Sequence, residues 1–261
     1  MLSFIFFFMV FISSSVLITY KSRNGFISNI TKNWKDGLIV GGFNALAATF
    51  FFMSLNLLDA STTAFLVRFS TIFIILIGVF HLKEKLTSLD ILGIVIAIAG
   101  AMVINYGNGT YTSFGLFIAL TAALFIALHQ TTAKMFVKKV HPLNLVNLRT
   151  LFSSSFLFIF VLATSSLEVP PQNTYVWFVA GGVVASIGFL FFYKSLELIA
   201  VSKAAIIRTL DPFIVVLYSI VIFRILPNLQ EILGGSLIIL GSWAISLAIK
   251  GTVDQLQQGL P

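Results

Sequence analysis

The sequence contains no cysteine and few charged residues. Without cysteine, the chain cannot form disulfides, thiolate metal sites or a cysteine nucleophile. Only 10% of its 261 residues are charged, whereas a soluble domain carries about 25%. Water is therefore not the solvent for most of the surface of this protein.

Catalytic and cofactor motifs are missing as well. The sequence has no glycine-rich phosphate loop, no paired-histidine metal motif and no hydrolase nucleophile elbow. We therefore expect no enzyme activity, no metal and no cofactor. Nucleic acid is not an expected partner, because the net charge of +7 includes no basic tract interleaved with aromatics on a polar segment.

The chain is instead rich in long apolar runs, with 58% hydrophobic residues and a mean hydropathy of +1.04. A bilayer core needs about 20 apolar residues per helix, and the chain divides at that length. This pattern predicts an all-α integral membrane protein with about nine transmembrane helices. The predicted spans lie near residues 2–19, 37–57, 62–80, 88–105, 114–133, 144–163, 176–193, 203–223 and 229–249.

The second half of the chain repeats the first at a shift of 141 residues, which indicates an internal duplication. The shift covers five predicted helices, an odd number, so the copies have opposite orientations in the membrane. Such an inverted-topology repeat is typical of secondary transporters. We assign residues 1–106 to a first repeat of four helices, 114–250 to a second of five, and 251–261 to a tail. The matching pairs include Ser61 and Ser202, Leu92 and Leu233, Gly93 and Gly234, and Gly100 and Gly241.

A signal peptide is the alternative interpretation of residues 2–18. No basic residue precedes this apolar run and no small-residue cleavage pattern follows it. The repeat also aligns it with residues 143–159, which belong to a full span. We therefore favour a transmembrane helix, and expect a ten-helix plan of five plus five that lacks its first helix.

The charges predict the orientation of the chain. Eleven lysines and Arg23 fall on one side of the predicted spans, whereas the opposite side has Arg224 alone among the basic residues. The positive-inside rule makes the lysine side cytoplasmic. We expect a multi-pass protein of the cell (inner) membrane with its amino terminus outside and its carboxyl terminus in the cytoplasm.

The segment Leu82–Thr87 (LKEKLT), followed by Asp90, Gly93 and Gly100, resembles the signature of EamA-type permeases in the drug/metabolite transporter superfamily. In the second copy, Leu210–Pro212 matches the proline-bearing fourth helix of the family repeat. The resemblance implies a ten-helix inner-membrane permease that moves amino acids or other small metabolites, often outward.

The chain departs from the family pattern at two places besides the missing first helix. Thr71 stands where the first repeat usually has its proline, and Ile225-Leu226 replaces the acidic-basic pair in the second copy.

Three charged residues lead the list of candidate substrate-binding residues, because ionisable groups inside a span are costly and usually functional. Arg208 and Asp211 are three residues apart on one predicted helix face and can pair. Pro212 lacks an N–H and is expected to break this helix. Arg68 aligns beside residue 209 of the other copy and should approach the same region. A structural ion pair, and snorkelling of Arg68 to the interface, are the alternatives.

Three uncharged side chains complete the predicted substrate site. His129 and Gln130 lie in the inner half of the fifth span, where histidine can relay protons or simply pack through hydrogen bonds. Asn44 lies near the middle of the second span and binds either substrate or a neighbouring helix. Arg149 is predicted to snorkel to the cytoplasmic interface, because it lies close to a span end.

Two further patterns are interpreted as structural. The charges of Lys83–Lys85 predict an anchor on the inner side, with Glu84 tempering the positive charge. Gly93, Gly100, Gly234 and Gly241 predict close helix packing, as do Gly37 and Gly41.

Together these features favour a secondary permease for a small polar or anionic metabolite such as an amino acid. A nucleotide-sugar or sugar-phosphate translocator of the same superfamily and a non-transporting membrane subunit are the alternatives. The expected partners are a small-molecule substrate and the lipid bilayer, with a homodimer left open.

Overall fold

In the structure, a computed structural model, all regular secondary structure among the described residues is helical. It describes residues 2–21, 25–58, 60–84, 86–105, 112–164, 171, 174–211, 214, 229, 232–241 and 243–244. No strand occurs within these ranges. The all-α fold class predicted from the apolar runs is therefore confirmed.

Ten α-helices make up the described part of the chain. They are α1 Leu2–Lys21, α2 Gly25–Leu55, α3 Ala60–Val67, α4 Phe69–Phe80, α5 Ser88–Asn105, α6 Ser113–Phe136, α7 Pro142–Ala163, α8 Tyr175–Leu198, α9 Val201–Ile207 and α10 Ile232–Gly241. Six stretches of this set are long and apolar enough to cross a membrane, and two shorter apolar helices lie at 88–100 and 232–241. Most of the predicted span 203–223 lies outside the described residues.

Two predicted spans differ from the observed helices. The second begins well before residue 37, because α2 runs from Gly25 and carries a non-helical residue at Asn33. The third is not one helix but two, since α3 ends at Val67 and α4 begins at Phe69.

Large apolar side chains cover much of the surface. Trp177 and Val176 on α8 are more than two thirds exposed, and Phe114 on α6 is nearly as open. A soluble monomer rarely exposes contiguous apolar patches above a few hundred Å². These side chains suit contact with lipid, as expected of a multi-pass membrane protein.

The chain forms two compact units that each take residues from both predicted repeats. The first unit comprises Met1–Met53 and Leu124–Ile199, and the second comprises Ser54–Ala123 and Ala200–Pro261. The division into a first and a second repeat along the sequence stays a prediction.

In the first unit, α1 packs against α7 and α8. Small residues allow the helices to approach closely. A Cβ built at Gly41 on α2 would lie 2.9 Å from the Arg149 carbonyl oxygen of α7, and one at Gly182 on α8 would lie 3.0 Å from the Met9 backbone. The Asn147 side chain donates hydrogen bonds from α7 to hydroxyls of α1. Buried polar contacts and small residues are how helices associate in lipid.

In the second unit, α5 and α10 cross through the glycines of the predicted repeat. A Cβ at Gly100 would lie 2.5 Å from the Gly234 carbonyl oxygen, and a Cβ at Gly241 would lie 2.6 Å from the Gly93 carbonyl oxygen. The four glycines therefore form one contact in which each copy supplies two. The predicted role of these residues in close helix packing is confirmed.

This crossing predicts that Gly100→Ala destabilises the protein. The new methyl group would meet backbone atoms, which cannot rotate away, and overpacking of this kind costs about 1–3 kcal/mol. We expect the midpoint of thermal unfolding in detergent to fall by about 2–4 °C per kcal/mol lost. Gly188→Ala on α8 is the matched control, because a Cβ there meets nothing within 4 Å. A Gly100→Ala midpoint equal to that of the control would contradict the close crossing.

Candidate functional site

The second unit contains a helix interruption at Arg68. The residue lies between the end of α3 and the start of α4, and its carbonyl oxygen accepts a hydrogen bond from the Thr71 backbone N–H at 3.0 Å. This bond spans three residues rather than the four of an α-helix, so the chain tightens locally at the arginine. The helical hydrogen bonding of the predicted span thus changes at its only charged side chain, while the backbone of Arg68 keeps helical dihedral angles.

A second interruption occurs at Arg208. Here α9 ends at Ile207, and the chain continues as a 3₁₀-helix over Arg208–Leu210. Residue 208 is one position away from the repeat partner of residue 68. Both predicted repeats therefore interrupt a helix at an arginine. Both are local changes within helical backbone; more extensive breaks in helices form the binding sites of many secondary transporters.

The structure brings three of the predicted site residues together. An Arg208 guanidinium nitrogen lies 3.7 Å from an Asp211 carboxylate oxygen. Both of these charges are close enough to Arg68 to interact with it electrostatically. We call Arg68, Arg208 and Asp211 the charge cluster. Pro212, the predicted helix break beside it, lies outside the described residues.

The charge cluster differs in exposure from an ordinary buried ion pair. The side chains of Arg208 and Asp211 are 44% and 49% exposed, and an exposed pair of this type contributes only about 0–1 kcal/mol to stability. Asp211 lies about 15 Å along the helix from Val201, which is half the thickness of a bilayer core of about 30 Å. Charges that are half exposed at such a depth need water around them.

The other predicted site residues, Asn44, His129 and Gln130, belong to the first unit, where His129 contacts Arg149. The Arg149 side chain is only 1% exposed. Its guanidinium carbon lies 3.9 Å from the centre of the Phe189 ring and 5.6 Å from that of Tyr193. A guanidinium nitrogen lies 3.4 Å from His129 Nε2, and the Tyr193 hydroxyl lies 3.0 Å from the same nitrogen.

The prediction that Arg149 snorkels to the interface is therefore wrong. Sequence distance from the span end favoured snorkelling, but rings on α8 enclose the guanidinium and provide cation–π contacts instead. His129 Nε2 is within hydrogen-bonding distance of both Tyr193 and Arg149, so His129 packs through buried polar contacts, and its role as a proton relay stays a prediction.

Asn44 and Gln130 are both buried. The Asn44 amide donates to the Ser153 hydroxyl at 2.9 Å and so joins α2 to α7. The Gln130 side-chain oxygen has no hydrogen-bond partner in the part of the chain that the structure describes. Asn44 thus makes the contact with a neighbouring helix that was one of its two predicted roles. The side-chain oxygen of Gln130 remains a hydrogen-bond acceptor without a partner among the described residues.

Sequence reasoning missed Phe189 and Tyr193 as partners of the buried arginine. The two residues are four apart on α8, so they share one helix face. A tyrosine at helical spacing from a second ring, inside an apolar run, was the available signal. Phenylalanine is too common in this chain, with 28 copies, for the pattern to stand out.

The sequence model of the EamA-like transporter family matches residues 1–106 and 113–247. The chain belongs to this family. The match covers nearly the whole chain and agrees with the helical membrane fold. This EamA-like protein is a multi-pass membrane transporter by family, not an enzyme.

Individual relatives of this EamA-like protein are similar over most of their length. An uncharacterized transporter of Archaeoglobus fulgidus is 22% identical over 218 residues, covering 81% of this chain and 78% of the relative. An uncharacterized transporter, YxxF, of Bacillus subtilis is 24% identical over 228 residues, covering 85% and 73%. A crystal structure matches with a TM-score of 0.78 at 17% identity, covering 94% of this chain and 88% of that protein. That structural match supports the fold alone.

The aromatic cage around Arg149 predicts that Arg149→Lys destabilises the protein. Lysine keeps the charge and snorkels equally well, but it cannot stack a planar group on Phe189. Cation–π contacts in desolvated positions are worth about 2 kcal/mol, so the unfolding midpoint should fall by about 2–4 °C for each kcal/mol. Arg208→Lys, at a half-exposed arginine, is the control and should unfold as the wild type does. Equal midpoints for the two variants would show that the cage does not hold Arg149.

Proposed function

We propose that this EamA-like protein is a secondary permease that moves a small polar or anionic metabolite, such as an amino acid, by alternating access. The charge cluster is the observation that carries this proposal. Arg68 and Arg208 each stand at a helix interruption, and Asp211 lies beside them. Interrupted helices expose backbone groups and side chains to a solute at membrane depth.

The charges in the cluster favour an anionic or zwitterionic substrate. Two guanidinium groups face one carboxylate, which leaves an excess of one positive charge. Guanidinium groups bind carboxylate and phosphate through paired N–H donors. An amino acid would place its carboxylate on an arginine and its ammonium near Asp211. If protons drive the cycle, Asp211 is the candidate proton carrier, because it lies deep in a predicted span.

The exposure of Arg208 and Asp211 supports transport over a purely structural role. A charged side chain at the centre of a bilayer costs about 2.5–3.5 kcal/mol or more unless water or a partner solvates it. The pair itself recovers at most about 1 kcal/mol. Water in a solute pathway supplies the missing solvation, and the same water would give a polar substrate access to the cluster.

A nucleotide-sugar or sugar-phosphate translocator is the second candidate. Its support is the same pair of arginines, since phosphate binds guanidinium as carboxylate does. Asp211 favours the amino acid, because a carboxylate beside a phosphate would repel it. A substrate screen in vesicles separates the two functions.

The proposal predicts the exchange rates of two variants in reconstituted vesicles. The full-length protein should exchange radiolabelled amino acids from a defined mixture, and Arg208→Ala and Asp211→Asn should each lower the rate at least tenfold. The reason is that each variant removes a charge that contacts the substrate. Glu197→Gln is the control, because Glu197 is exposed near the end of α8.

Three other results would change the account. Unchanged exchange in both variants would remove the charge cluster as the site. Exchange of sugar phosphates alone would favour the second candidate. Absence of exchange for every solute, restored by a partner protein, would indicate a non-transporting subunit.

The lysine distribution supports a cytoplasmic carboxyl terminus in the inner membrane. Fusion of green fluorescent protein to residue 261 should therefore give fluorescent bacterial cells, whereas an alkaline phosphatase fusion at the same position should be inactive. An active phosphatase with a dark fluorescent fusion would show the reverse orientation.

A further inference from the structure

The polar break between α4 and α5 contacts the first turn of α9. One Glu84 carboxylate oxygen accepts a hydrogen bond from the Val201 N–H at 2.7 Å. The other accepts from the Ser202 N–H at 3.2 Å and from the Ser202 hydroxyl at 2.6 Å. Glu84 thus does more than temper the charge of its lysine neighbours, which was its predicted role.

Glu84 replaces a cap that the local sequence does not provide. The residue that precedes α9 is Ala200, whose methyl side chain cannot accept a hydrogen bond. The first N–H groups of a helix need acceptors, and a capping side chain contributes about 0.5–2 kcal/mol. A carboxylate is favoured there by the helix dipole as well. The start of α9 therefore depends on a residue 117 positions earlier in the chain.

The turn before Glu84 is shaped to deliver this carboxylate. Lys83 adopts a φ of +55°, a conformation that residues other than glycine seldom take. The Glu84 N–H then donates to the Gly78 carbonyl oxygen at 3.0 Å. Gly78 also leaves room for the contact, because a Cβ there would lie 2.6 Å from the Glu84 carboxylate and 2.5 Å from the Ser202 hydroxyl.

A second carboxylate reinforces the same turn. Asp90 is fully buried and forms an ion pair with Lys203 at 3.2 Å. The same carboxylate oxygen accepts from the backbone N–H and the hydroxyl of Thr87, both at 2.9 Å. We call these contacts of Glu84 and Asp90 with Val201–Lys203 the α9 latch.

The α9 latch and the charge cluster lie at opposite ends of the same helix pair. Helix α4 packs against α9. Arg68 precedes the first residue of α4, and Glu84 follows its last turn. Helix α9 begins at the latch and ends where Arg208 begins. The two helices are therefore antiparallel, and the seven residues of α9 separate the latch from Arg208 by about 10 Å.

We infer that Glu84 and Asp90 are positioning residues, which hold α9 so that Arg208 stands beside Arg68 in the charge cluster. Residues Val201–Ile206 are all buried, so α9 transmits a displacement of its first turn to its last. The sequence provides this cap in only one copy, because Ile225 stands at the repeat position of Glu84. The inference rests on the proposed function for its consequence in transport, but not for the geometry itself.

The geometry is tested by thiol labelling, since the chain has no cysteine of its own. Arg208→Cys is labelled with a charged, water-soluble thiol reagent, with and without Glu84→Gln. We expect Glu84→Gln to change the labelling rate at least threefold and to accelerate amide exchange of Val201 and Ser202 about tenfold. Glu197→Gln serves as the control and should change neither rate. Unchanged labelling and exchange in Glu84→Gln would overturn the latch.

The consequence for transport is tested in vesicles with the amino acid that exchanges. Glu84→Gln should raise the half-saturating concentration several-fold with a smaller effect on the maximal rate, and Glu84→Asp should recover part of the loss. If Glu84 acts through Arg208, then Glu84→Gln should cause little further loss in an Arg208→Ala background. Losses that multiply in the double variant would overturn the positioning role.

Failure of the proposed function and failure of the positioning role can be distinguished. A wild-type chain that exchanges no solute removes the proposed function, while the labelling and amide-exchange measurements still decide the latch. A chain that exchanges solute normally with Glu84→Gln contradicts the positioning role and leaves the proposed function standing.

Discussion

A charge inside a bilayer must be solvated by something, and this requirement organises the polar groups of the protein. Arg149 is enclosed by aromatic rings and contacts His129. Asp90 and Lys203 neutralise each other in a buried pair that Thr87 completes. These groups lie away from solvent with partners supplied by the protein. Arg208 and Asp211 differ, because almost half of each side chain is open.

This difference separates charges that stabilise the fold from charges that are available to a solute. A permease has to hold its binding groups firmly and still leave them accessible. In the proposed permease the charge cluster would meet both needs, with α9 held at its far end by the contacts of Glu84 and Asp90 in the α9 latch. The glycine crossing of α5 and α10 adds a second close contact within the same unit. Closely packed helices thus carry charged side chains, Arg208 and Asp211, that are about half exposed.

The sequence was informative wherever a local pattern decides the outcome. Apolar runs of membrane length predicted the helices, and the spaced Gly100 and Gly241 predicted a close crossing. The local change in helical hydrogen bonding at Arg68 was not predictable, because the stretch around it contains neither glycine nor proline. Its sequence predicts one continuous apolar helix.

The members of the charge cluster were predictable from the sequence, but the surroundings of the polar residues were not. Spacing alone placed Arg208 beside Asp211, because residues three apart share a helix face. The cage around Arg149 and the cap from Glu84 both join residues that are distant in sequence. The spacing of residues along a helix contains no information about such contacts. The general preference of charged residues for the ends of spans led instead to the interpretations of Arg149 as snorkelling and of Lys83–Lys85 as an anchor.

The most direct measurement is protection of a cysteine beside the charge cluster by a transported solute. Ile207→Cys keeps Arg208, and residue 207 is partly exposed. A charged thiol reagent should label it through the aqueous pathway, and a saturating concentration of the transported amino acid should slow labelling several-fold. A cysteine at the exposed position 197 should be labelled at the same rate with or without the solute. Labelling of residue 207 that is unaffected by saturating solute, in a chain that still transports it, would contradict the account.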